Sequence, residues 1–201
     1  TSFFIAHNST HNIVILIIGI FLFFFEKTKT DFSNLKLLTL ITIFTFLFFI
    51  ISKNHDDFPY YHLPFALSLA ENKVSFGMGL LNYGYRHHSG LLFLNSLKYL
   101  PWIKYFLFNL PNYLILIFVN YIIIDNLLKN LRKKNIIFLL SLIFLLVVNL
   151  KFTRLSEYGT DISGQIILFV IILNLINILI YDRKVEKIYF NVFLLLIVFF
   201  F

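Results

Sequence analysis

The sequence predicts an all-α fold, a polytopic transmembrane helical bundle with an outer loop carrying interfacial helices, and three observations lead there. Hydrophobic residues fill 59% of the 201 positions and charged residues only 13%. Several apolar runs approach the ~20 residues that a helix needs to cross a bilayer. Those runs, 136–150 and 166–180 among them, lack the alternation of apolar and polar residues that marks a transmembrane strand. An ordinary soluble domain needs more polar surface, and a membrane barrel needs the missing alternation, so both classes are excluded. The chain has no cysteine, which removes disulfides, thiolate metal sites and cysteine nucleophiles together.

Taken in order, spans are expected near 12–25, 36–52, 104–127, 136–150, 164–181 and from 188 to 201, in a single membrane domain over 1–201. The first run leads into charged residues and not into a small-residue cleavage site, so it reads as an anchor and not as a signal peptide. The chain opens on Thr1 and stops within the apolar run 193–201, which reads as a fragment incomplete at its C-terminus. Short loops rich in Lys and Arg stay cytoplasmic. Lys27, Lys29 and Lys36, then Lys129, Arg132, Lys133 and Lys134, then Arg183, Lys184 and Lys187 fall on one side if the spans alternate. The outer loop 53–103 and the loop 151–163 then face outward, across what reads as a bacterial inner membrane. Segment 89–100 would reverse this if it crossed, but its Ser89, Asn95, Ser96 and Lys98 suggest an interfacial or re-entrant helix, or the outer extension of a helix interrupted near Pro101.

Polar chemistry concentrates outside. Adjacent carboxylates at a membrane surface repel and lose hydration, so Asp56-Asp57 should stand beside a cation, a basic partner or a reacting proton. Asp57 also reads as a helix N-cap ahead of Pro59, and Asp161 as a cap of the run after it; Asp56 is less easily explained that way. Glu157 and Arg154, three apart, read as a local ion pair. His55, His62, His87 and His88 share the loop with the aspartates, yet their spacing matches no standard zinc pattern, and interfacial hydrogen bonding is the preferred reading. His7 and His11 read as solvated loop residues, Gly77-Met78-Gly79 as a turn, and Asn109, Asn112, Asn120 and Asn149 as helix-packing residues. Arg86, His87, Lys151 and Arg154 are cations placed where a lipid phosphate would sit, with headgroup snorkelling as the plainer alternative for each. The net charge of +7 reports topology, and no nucleic-acid partner is expected. Phosphate-cradling glycine loops, GxSxG and HExxH are absent from the sequence.

An apolar span, paired acids, an amphipathic stretch with Tyr and His around Tyr60-Tyr61-His62, then a Gly- and aromatic-rich segment ending in His88-Ser89-Gly90, resembles the first outer loop of GT-C-type polyprenyl-phosphate-dependent membrane glycosyltransferases. The resemblance covers roughly 36–181. It implies transfer of a sugar from a polyprenyl-phosphate donor to an envelope acceptor at the outer face. The family's Asp motif maps onto Asp56-Asp57, and its second acidic residue onto Asp161 or Glu157. Asp56 would be the base for the acceptor hydroxyl, and Asp57 or Asp161 would orient it or hold a divalent cation. Arg86 and Arg154, with His62, His87 and Glu157, would contact the lipid-linked donor, and membrane lipids would surround the spans. The chain departs from the family pattern in the additional span at 12–25. The competing readings are a transporter or flippase of lipid-linked sugars, which requires buried charge along a path, and a non-catalytic assembly subunit.

Overall fold

The computed structural model describes residues 2–26, 32–50, 56–86, 89–150, 161–182, 189–190 and 192–194. Among these residues the fold is all-helical, with one isolated backbone bridge and no strand. Helix α1 covers Ser9–Glu26 and α2 Phe32–Ile50. A π-helical turn at Phe58–His62 runs directly into α3, Leu63–Glu71. Two short helices follow, α4 at Met78–Leu81 and α5 at Gly90–Ser96, with the 3-10 turn Tyr83–Arg86 between them. The long helices α6, Leu110–Asn130, α7, Ile136–Leu150, and α8, Asp161–Asn177, complete the description, and α8 continues as a π turn over Ile178–Asp182. Two helical stretches, Leu110–Asn130 and Ile162–Tyr181, are long and apolar enough to cross a membrane, and Ser9–Phe25, Asn34–Leu47 and Ile136–Leu150 are shorter apolar helices.

Helix α6 is the centre. It shares one buried cluster with α7 and α8 through Leu116, Ile123, Ile137, Val148, Ile166 and Leu173, and a second with α2 through Ile41, Tyr113 and Ile117. Amides and hydroxyls fix the register. Asn149 donates to Asn120 Oδ1 at 2.7 Å and Asn120 donates back at 3.3 Å, while each also donates to a carbonyl four residues earlier in its own helix. This satisfies the amides inside an apolar interface, and the expected packing role of Asn120 and Asn149 is what the contacts show. The Tyr113 hydroxyl donates to the Thr42 carbonyl at 2.8 Å, and its ring stacks on Phe49 with centroids 4.8 Å apart. The C-terminal half of α2 therefore lies at the start of α6, and the two helices run antiparallel.

These contacts sort the chain into two ends. Asn177 donates to Asn126, and Asn135 donates to the Tyr181 hydroxyl, so the far ends of α6 and α8 meet the loop that carries Arg132, Lys133 and Lys134. At the other end, the Asn12 amide in the first turn of α1 donates to the carbonyls of Ser96 at 2.9 Å and Tyr99 at 3.0 Å. That end also holds α3 to α5, because the amide of Asn95, in its correct orientation, donates to the Phe108 carbonyl just before α6. The basic residues Lys27, Lys29, Arg183, Lys184 and Lys187 and the run 195–201 lie outside the described residues.

Two boundaries differ from expectation. The helix expected from 104 starts at Leu110, because 104–109 is a chain of turns that begins with Lys104 at φ +50 and a Lys104 amide bonded to Leu100. Pro111, at the start of the helix, has no N–H to leave unsatisfied there. Within segment 89–100 the helix is α5, which stops at Ser96. Ser89 caps α5 by accepting from the Leu91 amide at 3.3 Å, and Leu91, Leu92, Asn95 and Ser96 are buried against α3 and α6.

Candidate functional site

Asp56 and Asp57 form the turn that enters the π-helical segment, with Asp56 exposed and Asp57 partly so. Asp57 occupies the cap position before Pro59, but the cap bond is not made by its side chain. Its backbone carbonyl takes the amides of Tyr60, Tyr61 and His62 instead. That leaves the carboxylate to the Tyr61 hydroxyl, which approaches Asp57 Oδ2 at 3.4 Å. The capping expectation for Asp57 is thus right in position and wrong in the group that does the work.

Tyr61 links this acidic corner to the 3-10 turn. Asn82 donates from its side chain to the Tyr60 carbonyl at 3.1 Å and accepts from the Gly84 amide at 2.9 Å. Gly84 then lies against the Tyr61 ring so closely that a Cβ there would stand 2.5 Å from Tyr61 Cγ. Two residues on, Arg86 folds back over α4. Its Nε donates to the Gly79 carbonyl at 3.0 Å and its guanidinium covers the Tyr83 ring at 4.9 Å. Gly79 is needed for that return, since a Cβ there would meet Arg86 Cγ at 2.9 Å. Gly77, at φ +85, turns the chain into α4, so the expected turn at Gly77-Met78-Gly79 is instead a turn followed at once by helix.

Arg86 lines a cleft of about 560 Å³ whose other walls include Phe3, Phe65, Phe76, Met78, Tyr85 and Phe93. An arginine held by one backbone carbonyl and one ring keeps further N–H donors for a ligand, and a guanidinium fork matches the oxygens of a phosphate or carboxylate. An aromatic wall with one cation suits an amphiphile with an anionic head. His62 does not join this cleft: it is 4% exposed, beneath the Tyr61 ring edge at 4.2 Å. His55, His87, His88, Lys151, Arg154 and Glu157 lie outside the described residues, and of Asp161 only the backbone, as the first residue of α8, is described. Among the described residues no three His, Asp or Glu side chains gather where they could hold a metal ion.

The N-terminal segment brings a feature that the sequence reading missed. His7, expected in solvent, is 2% exposed. Its amide donates to the Leu69 carbonyl, its Nδ1 lies 2.7 Å from Ser96 Oγ, and its ring stacks on His11 with centroids 5.2 Å apart. A serine beside a histidine invites comparison with a nucleophile and its base. The surroundings argue otherwise: Ser96 Oγ also has the Phe93 carbonyl at 2.8 Å to donate to, and both side chains are buried, which suits a packing contact. Burial first, and the His11 charge second, lower the His7 pKa to about 4. A neutral His7 clasps the segment before α1 to α3 and α5, and in doing so brings Phe3 to the wall of the Arg86 cleft. No protein-family model, curated protein or solved structure matches the chain.

Proposed function

We propose that this chain is the helical part of an integral membrane glycosyltransferase of GT-C type, moving a sugar from a polyprenyl-phosphate donor to an envelope acceptor at the outer face of the bacterial inner membrane. The observation that carries the reading is the Arg86 cleft, mostly apolar and aromatic with one guanidinium and the Ser75 hydroxyl in its wall, at the same end of the helices as Asp56-Asp57. The cleft's two characters match the two parts of a lipid phosphate. Asp56, exposed at the entry to the π turn, would act as base toward the acceptor hydroxyl, and Arg86 would stabilise the departing phosphate.

What the helices leave uncovered supports a polytopic membrane setting. From Val14 to Phe25 nearly every large side chain of α1 is exposed, on all faces, and Phe44, Leu47, Leu139 and Leu146 continue this on α2 and α7. A helix that is apolar all round is at home in lipid. The Lys and Arg residues after α6 then fall on the cytoplasmic side and the cleft on the outer side.

Replacing Arg86 with Gln tests the reading. Charge-assisted hydrogen bonds contribute about 1.5–3 kcal/mol each, so binding of a polyprenyl-phosphate sugar should weaken by about 10-fold or more. The helical content and thermal stability should be nearly unchanged, because the lost bond to Gly79 is exposed. Equal donor binding by Arg86→Gln and the parent protein would leave Arg86 as a headgroup anchor.

A further inference from the structure

The end of the molecule that holds the Arg86 cleft carries its most apolar residues at its most exposed points. Phe76 is 93% exposed, and Leu80 and Leu81 of α4 are 84% and 85%. A second tip is formed by the turn 100–104, closed by the Lys104 amide on the Leu100 carbonyl at 2.7 Å. It presents Pro101, Trp102 and Ile103 at its apex, with Trp102 91% exposed. Meanwhile His7, His62, Ser89, Asn95, Ser96 and Asn109 are buried in the same region. Loop tips in water are usually polar, since the loop pays no cost to hydrate them. Here the distribution is reversed at both tips.

Charge indicates what covers them. Lys73 precedes the first tip by three residues, and Lys98 and Lys104 bracket the second; all three are at least partly exposed. An aromatic residue flanked by lysines is the arrangement that settles a ring at the headgroup level while the ammonium groups reach the phosphates. We infer that the tips at Phe76–Leu81 and Pro101–Ile103 insert into the outer leaflet, so that this region lies in the membrane surface and does not project into water. The inference rests on the membrane reading above but not on the transferase chemistry. Phe76 belongs both to the first tip and to the wall of the Arg86 cleft, so a cleft seated this way admits an amphiphile from the leaflet.

Trp102 is the one tryptophan in the sequence, and there is no cysteine, so both tips can be read without background. The chain is reconstituted in vesicles of phosphatidylcholine and phosphatidylglycerol, with and without bromine on the acyl chains. With brominated lipid Trp102 should lose about half of its emission or more, and aqueous iodide should quench it weakly, as for an indole at the interface. A nitroxide on Leu81→Cys should collide more with oxygen than with a water-soluble nickel chelate, and one on Phe21→Cys in α1 is the reference for lipid. If Trp102 or position 81 is found in water while position 21 is in lipid, the insertion is refuted and the membrane reading stands. If position 21 is in water as well, both fall.

Discussion

Asp56→Asn is expected to lower transfer from a defined lipid-linked sugar by about 10²–10⁴-fold, the range that a general base contributes, with expression and thermal stability nearly unchanged. Within the acidic corner, elimination points to Asp56. Asp57 already has the Tyr61 hydroxyl beside its carboxylate and uses its carbonyl to start the π turn, which suits a positioning part. Asp56 is exposed in the same turn and is available to an acceptor. Asn keeps the size and most of the hydrogen bonding but cannot take a proton, so a purely structural Asp56 would tolerate the change. Near-normal turnover in Asp56→Asn, with the loss found in Asp161→Asn, would move the base to the start of α8; normal turnover in both would refute the proposed mechanism.

Gly84→Ala should be clearly destabilising, since among Gly19, Gly77, Gly79 and Gly84 it is where an added methyl group makes the tightest contact. The new Cβ would lie 2.5, 2.6 and 2.7 Å from three atoms at the root of the Tyr61 side chain. Those atoms cannot swing away as the end of a flexible chain would, and the ring is held edge-on to buried His62. Forcing an extra methyl into such a contact costs about 1–3 kcal/mol. The displacement also draws the Tyr61 hydroxyl from Asp57. Lower thermal stability and altered donor binding should therefore appear together, and Tyr61→Ala in the Gly84→Ala background should recover only the part of the loss due to the ring, because the Tyr61 Cβ, 2.6 Å from the new one, remains. Gly79→Ala is the comparison, because its new Cβ meets the Arg86 stem, which can give way more cheaply. A Gly84→Ala protein as stable as its parent would mean that the corner between the π turn and the 3-10 turn is looser than these contacts require.

The helices were legible because unbroken apolar runs leave few alternatives. The runs at 12–25 and 136–150 are covered by α1 and α7, and α2 covers the run from 36 as far as Ile50, beyond which 51–52 lie outside the described residues. The start of α6 was not legible, since residues 104–109 are as apolar as the helix that follows. What keeps them out of it is distant: the amide of Asn95 on the Phe108 carbonyl and the Tyr99 ring packed near Phe108. The burial of His7 is illegible for the same reason, as a polar residue among polar neighbours reads as solvated until Leu69 and Ser96 close over it. For the site, Asp56-Asp57 and Arg86 are legible as charge in a chain where only 13% of residues are charged. The glycines beside Arg86 and Tyr61 are visible in the sequence at 79 and 84, but only contact shows that a side chain would be crowded there, and more severely at 84.

The central claim is that the acidic corner and the Arg86 cleft face outward while the basic loop after α6 faces the cytoplasm. Lys73 and Lys133 are both exposed, on the cleft side and the basic side respectively, and single cysteines at these positions in intact cells can be treated with a membrane-impermeant maleimide. The account predicts that Lys73→Cys is labelled in intact cells and Lys133→Cys only after the membrane is opened. Labelling of Lys133→Cys in intact cells, with Lys73→Cys protected until lysis, would contradict it.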